Sequence, residues 1–235
     1  MLINLRNALM AGKRKPTAKD YVQSGLVAMW DGIENAGWGV HDPNATEWKD
    51  LVGSYDLVQT QTAKITWDDD SCVFALNTDM YNSDFSTGYN AVLNGTWTAE
   101  CVFSVTSTTS LNASIFGLGG NRTLWIFTNA STTIQSDKLA NATLTDIGEG
   151  NLGQKNHVVA TGDGRVYVNG VLYTQRATST TARTGDTRIR FGLLPDFYSS
   201  GLVGHIFGNR FSTRNFTSAE IAANYAIDKE RFGLP

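Results

Sequence analysis

Along most of this chain apolar and polar residues alternate in short runs with a period of two, the pattern of strands with one buried face. In "HVVATGDGRVYVNGVLYTQR" (157–176), Val166 and Val168 fall on one side and Arg165 and Tyr167 on the other. Asn169-Gly170 follows, the pair preferred in two-residue hairpin turns because both central residues take a positive φ. The stretch predicts a hairpin, with a further strand over 157–161 before it. The same pattern predicts strands over 25–30, 55–60, 64–69, 72–76, 96–107, 113–118, 123–129, 132–137, 187–193 and 202–212. Turns rich in Gly, Asn, Asp and Ser separate them, which signals a sandwich or barrel. No helical run of useful length interrupts the strands, and that excludes a parallel α/β sheet. There is no internal repeat.

The two ends differ. In "NFTSAEIAANYAIDKERFGLP", Thr217 and Glu220 form a capping box that opens a helix, and Gly233 and Pro235 stop it. Ile221, Ala222 and Tyr225 are expected to form its packing stripe. Residues 2–11 can form a short amphipathic helix with Leu2, Leu5 and Leu9 on one face. Ten residues are too few to hold a helix alone in water, so this one needs its apolar face covered. Gly12 and Pro16 bracket the basic cluster Lys13, Arg14 and Lys15. The expected division is an arm over 1–20 and a β domain over 21–235.

Charge sharpens that division. The net charge of −3 argues against general nucleic-acid binding. Residues 1–20 hold five basic side chains against Asp20, while the rest of the chain holds 14 basic and 21 acidic ones. A basic arm on an acidic body suggests docking to an acidic partner, a neighbouring copy included; a solvated tail is the plain alternative. The basic cluster follows the apolar run, the reverse of a secretory signal, and no run approaches the ~18 apolar residues of a membrane helix. Cys72 and Cys101 lie in strand-like runs. Buried free thiols are the expectation, with one cross-strand disulfide as the alternative.

Three segments resemble a known family. "NHVVATGDGRVYVNGVLYTQR" is similar to the strand, Gly turn and "vYvNGv" strand of concanavalin A-like, laminin-G-type jelly rolls. "GLVGHIFGNRFSTRNFTSAEIAANYAIDKERF" is similar to that family's closing strand and helix. "GLVAMWDGIEN" with "WKDLVGSYDL" matches its first strand and a turn carrying Trp48, Asp50, Gly53, Asp56 and Leu57. The matches run from about residue 25 to residue 232 in family order. The resemblance implies an all-β antiparallel jelly-roll β-sandwich, concanavalin A-like, with a short C-terminal helix and an N-terminal arm. "GLVAMWDGIENAGWG" behind a short basic N-terminus also resembles structural proteins of bacteriophages and prophages. That implies a virion protein (capsid decoration, head fibre or tail component) whose arm, through Leu2, Leu5, Leu9, Lys13, Arg14 and Lys15, binds other virion proteins or forms a homo-oligomer. Its lectin-like surface would adhere to a host surface glycan. A stand-alone carbohydrate-binding module is the alternative, and a glycoside hydrolase the third reading.

Glycan hydrolases of this fold carry two carboxylates on one strand, close enough for the retaining mechanism. "EWKD" (47–50) has the wrong spacing, Glu100 stands alone in its strand, and Glu149 lies in a Gly-rich loop. No Gly-x-Ser-x-Gly elbow accompanies His41, His157 or His205. The chain is therefore expected not to be an enzyme. Asp68, Asp69 and Asp70, and the group Asp79, Asn82 and Asp84, raise calcium as a cofactor, but neither run matches a specific calcium loop and both read as polar turns. No metal or other cofactor is assigned. Sugar binding needs an exposed aromatic beside polar groups. The loop 35–48 offers Trp38, His41 and Asp42, and the loop 193–201 offers Phe197 and Tyr198. Either aromatic set could instead fill the rim of the sandwich.

Overall fold

Strands form where the alternation is strongest. The structure, a computed structural model, describes residues 14–59, 65–75, 85–86, 96–106, 113–118, 121–128, 132–136, 142–146, 153–175, 189–192 and 202–235. Leu2, Leu5, Leu9, Lys13, Asp79, Asn82, Asp84, Glu149, Phe197 and Tyr198 lie outside the described residues. The elements are β1 (Leu26–Asp31), β2 (Glu47–Trp48), β3 (Leu57–Gln59), β4 (Ile65–Asp68), β5 (Ser71–Phe74), β6 (Phe85–Ser86), β7 (Thr98–Val105) and β8 (Ala113–Leu118). They continue with β9 (Asn121–Thr128), β10 (Thr132–Ser136), β11 (Ala142–Asp146), β12 (Asn156–Thr161), β13 (Arg165–Val168), β14 (Val171–Gln175), β15 (Ile189–Phe191), β16 (Gly204–Ser212) and the helix α1 (Ser218–Phe232). The strands β2, β6 and β11 were not predicted: β2 and β6 have two residues each, too few for a period to show, and "ATLTD" of β11 holds a single large apolar residue.

Two antiparallel sheets face each other. The first has the order β14-β13-β12-β7-β16-β5-β4, with β1 paired to the C-terminal half of β16; the second has the order β11-β10-β9-β8-β15-β6-β3-β2. This is the antiparallel β-sandwich that the alternation and the resemblance led us to expect. The core lies between the sheets. Trp30, Phe74, Phe103 and Phe211 from the first meet Trp48, Phe116 and Phe191 from the second. Trp30 meets Phe191 edge to face at 5.4 Å, and Trp48 meets Trp67 likewise at 5.1 Å.

The Trp48 turn is a structural staple. The Asp50 carboxylate accepts hydrogen bonds from the backbone N–H of Met29 (2.9 Å), Val52 (3.0 Å) and Tyr55 (3.1 Å). Asp56 accepts one from the Asp50 N–H at 2.9 Å. The Trp48 indole N–H donates to the Asp31 carbonyl at 3.0 Å. Each bond ties the turn to β1 or to itself.

The central strand β7 reads "TAECVFSV", with Thr98, Glu100 and Ser104 polar, yet all eight residues are buried. Both of its faces are covered. Ala99, Cys101, Phe103 and Val105 enter the core between the sheets, while Glu100 and Val102 point the other way, under α1. Cys72 and Cys101 are buried free thiols, and burial pushes both thiols up. The helix begins at the Thr217–Glu220 capping box and ends at Gly233, as predicted. Its packing stripe differs from the expected one. Ala222 is exposed and Tyr225 half-buried, and the buried residues are Ile221, Asn224, Asp228, Arg231 and Phe232. The reason is what the sheet presents. Beneath the helix stand Glu100, His157 and Arg210, so the complementary stripe is polar.

Arg210 on β16 links strand and helix. Its guanidinium donates to Glu100 at 2.9 Å and to Asp228 at 2.9 Å, with all three residues buried. Asn224 donates to Glu100 at 2.9 Å, and Tyr21 donates its hydroxyl to Asp228 at 2.6 Å beneath the Arg210 cation, 4.0 Å from the ring centroid. A second pair, Arg231 to Asp31 at 2.7 Å, pins the end of the helix to β1. Ala18 and Tyr21, in and just after a short 3-10 turn (Ala18–Asp20), are buried with Met29 and Leu51. The hairpin turn also serves the helix. Asn169 and Gly170 have φ of 49° and 77°, and a Cβ on Gly170 would stand 2.6 Å from the Tyr225 ring. Among the described residues no helix is long and apolar enough to cross a membrane.

Burial pushes the Glu100 carboxyl up, but Arg210 and the His157 hydrogen bond outweigh it and hold it at about 2, below the ordinary 4.5. A lowered acid stabilises the fold above its unfolded pKa and loses that contribution as pH falls toward the folded one. Glu100→Gln should therefore lower the urea-unfolding free energy at pH 7 by about 3–5 kcal/mol, as expected for a broken buried pair. The gap to the wild type should close between about pH 4.5 and pH 2. A gap that stays constant down to pH 3 would contradict this assignment.

Candidate functional site

Past the C-terminal end of α1, the outer face of the first sheet is left uncovered, and a groove of about 200 Å³ opens there. It is lined by Asp68, Asp70, Ser104, Thr106, Gly153, Lys155, His205 and Phe207. Strand alternation places three of these. Ser104 on β7 lies two residues beyond Val102, on the outer face, and His205 and Phe207 of β16 share that face. Asp68 ends β4, and Asp70 lies in the turn to β5. Gly32, just after β1, lets the chain pass tightly by: a Cβ there would stand 2.3 Å from the Asp70 carbonyl oxygen.

The groove is wired on one side and open on the other. Lys155 donates to Asp70 at 2.9 Å and to the Phe232 carbonyl at 2.8 Å, and its ammonium lies 4.2 Å from the Phe207 ring centroid. His205 Nδ1 lies 3.1 Å from the Ser71 hydroxyl and 3.4 Å from Asp68 Oδ2, and its ring stacks on Phe207 at 5.9 Å. Asp68 is exposed, with 58% of its side chain accessible. Ser104 is 3% exposed. Carboxylates that only accept, hydroxyls that do both and an imidazole edge together suit a ligand carrying hydroxyl groups.

The predicted sugar-binding residues lie elsewhere. Trp38 is 40% exposed on a turn closed by the Gly37–Val40 bridge, with the Lys19 ammonium 5.2 Å from its ring centroid. Glu34 accepts the Gly39 N–H at 2.9 Å and holds the turn. His41 and Asp42 brace the same loop. His41 Nδ1 sits 3.1 Å from the Gly32 carbonyl, and Asp42 exchanges two 2.8 Å bonds with the Asn35 side chain. Arg14 and Lys15 are exposed, and Arg14 pairs with Asp20 at 2.7 Å. Asp68 and Asp70, raised for calcium, face His205 and Lys155 instead. Sequence reasoning missed Lys155, Ser104 and Phe207. Each is ordinary in its own stretch of chain, and only the pairing of β7 with β16 and with β12, which follows Lys155, collects them.

Glu100, His157 and Asp228 form one further cluster, their ligand atoms within 4.8 Å of one another. His157 Nε2 lies 3.1 Å from Glu100. The place between the two carboxylates is held by the Arg210 guanidinium, which bonds both. Such a site does not fit a metal ion, because the cation is already supplied.

No protein-family model and no curated protein matches this chain. Solved structures do. Trypanosoma rangeli sialidase in complex with sialic acid is similar at a TM-score of 0.66 and 14% identity, over 97% of this chain and 37% of that one. A second structure of that sialidase gives 0.64 and 16% over the same shares. A structure of botulinum neurotoxin type C, described through its interaction with two ganglioside molecules, gives 0.57 and 8% over 86% of this chain and 51% of that one. The chain spans little more than a third of the sialidase chains. At these identities the likeness shows the fold, an all-β sandwich.

The likeness corrects one expectation. The sequence was read as that of a protein without enzymatic activity, for want of two carboxylates on one strand. The neighbours are sialidases, glycoside hydrolases that contain this fold, so that exclusion falls. A strand motif was also too narrow a test. The fold brings together carboxylates from different elements, as Glu100 and Asp228 illustrate.

The two tryptophan environments differ in consequence. Trp38→Ala should change the unfolding free energy by less than about 0.5 kcal/mol, as for an exposed side chain. Trp48→Ala should cost about 3–5 kcal/mol through the cavity it leaves. Chemical denaturation of both variants measures the contrast, and equal losses would place Trp38 in a packed rim.

Proposed function

We propose that this chain is a carbohydrate-binding β-sandwich domain. The observation that carries the reading is the groove on the outer face of the first sheet, where Asp68, Asp70, Ser104 and His205 line one cavity of about 200 Å³. Hydroxyl-rich ligands both donate and accept, and this lining offers both partners. The fold neighbours support the reading, since two of the structures are described with sialic acid and with gangliosides. The exposed Trp38 adds a second surface on which a sugar ring could stack. The test is an immobilised-glycan panel followed by titration calorimetry. We expect at least one glycan to be retained and His205→Ala to weaken it tenfold or more. A folded protein that retains no glycan at any concentration tested would sink the reading. Assaying the same panel for released reducing sugar separates binding from hydrolysis.

The finer reading places the domain on a bacteriophage particle, held by residues 1–20. It is supported by the resemblance of the opening segment and by the basic charge of those residues against the acidic remainder. Because Ala18 and Tyr21 are packed under the body, the informative deletion stops short of them. Removing residues 1–13 should leave the melting temperature unchanged and abolish association with particles or with other copies, read by light scattering. Unchanged association would remove the arm from this role.

A further inference from the structure

We propose that the groove beside Lys155 takes a single neutral sugar residue and rejects carboxylated sugars. The inference rests on the carbohydrate-binding reading and adds a class of ligand to it.

Charge decides the class. Two carboxylates, Asp68 and Asp70, border the groove, and Lys155 is its one lysine among the described lining residues. The ammonium of Lys155 is already engaged on three sides, by Asp70 at 2.9 Å, by the Phe232 carbonyl at 2.8 Å and by the Phe207 ring at 4.2 Å. A ligand carboxylate would find this charge already paired with Asp70. It would also approach Asp68, whose side chain is 58% accessible. Like charges brought together at a partly desolvated surface oppose binding.

Hydrogen-bond capacity points the same way. Ser104 is 3% exposed, faces the groove and makes no side-chain hydrogen bond among the described residues. Among the described residues His205 engages Ser71 and Asp68 through Nδ1, which leaves Nε2 for a ligand. The outer lone pairs of Asp68 accept. A hydroxyl satisfies all three kinds of partner, since it donates to a carboxylate and exchanges bonds with a serine or an imidazole. Size sets the number of rings. About 200 Å³ is room for roughly seven waters at ~30 Å³ each. That lies below the ~300–1,000 Å³ of sites that enclose a drug-sized ligand, so the open groove seats one ring and the rest of a glycan stays outside.

The experiment uses the whole chain and matched glycans that end in either a neutral hexose or a carboxylated sugar, titrated at low salt by calorimetry. We expect the neutral ligands to bind at least tenfold more tightly than their carboxylated counterparts. Asp68→Asn should narrow that ratio. Ser104→Val should weaken the neutral ligand about tenfold with the melting temperature unchanged. A preference for carboxylated sugars overturns the inference. So does neutral-sugar binding that survives Ser104→Val and His205→Ala but is lost in Trp38→Ala. In both cases the carbohydrate-binding reading survives. If glycans of neither kind bind, the inference and that reading fail together.

Discussion

The Arg210 guanidinium sits between Glu100 and Asp228, out of water, and the arrangement of the outer face follows from it. Glu100 belongs to a strand, Asp228 to the helix, and Arg210 to the strand beside Glu100. Removing three charges from water is costly, and their attraction repays that cost only in good geometry. A buried pair of this kind is weak evidence for extra stability and better understood as a constraint on register. The helix can dock in one place, because a shift of one turn would leave a buried charge without its partner. Tyr21 and Asn224 close the remaining hydrogen-bonding positions, so the segment before β1 is fixed by the same contact.

Small apolar clusters flank the charges and complete the docking. Val159, Tyr167, Phe216 and Ile221 lie on one side, and Val102, Phe207, Phe232 and Leu234 on the other. The second cluster borders the groove. The Phe232 carbonyl at the end of the helix accepts from Lys155, and Phe207 lies beneath both Lys155 and His205. The groove therefore inherits its shape from the docking of the helix, and its lysine is positioned by a carbonyl that has no donor within the helix because the helix ends there.

Some of this was legible in the residues. The alternation of Arg165 to Val168, the Asn169-Gly170 turn and the Thr217–Glu220 box are local signals, each set by the period of a strand or the needs of a turn or cap. The turn and the box appear in the structure as read, and so does the alternation, but both faces of that strand are covered, since Tyr167 is buried against the helix side. The helix stripe was misread, because period alone cannot say whether a facing surface is apolar. Here it is charged, so Asn224 and Asp228 are buried while Ala222 is exposed. Glu100 looked solitary because its partners are 57, 110 and 124 residues away along the chain.

The sequence by itself determined the class of architecture, the two ends of α1 and the hairpin turn, for these depend on neighbours a few residues apart. Tertiary structure alone decided which polar residues would be buried and which would meet in a groove. Asp68, Ser104, Lys155 and His205 come from four separate stretches of chain. Each strand carries side chains to both faces with the same alternation, and nothing in that alternation records which strands will be neighbours. Strand order fixed the groove, and the ion pair under the helix fixed how much of the sheet was left open to form it.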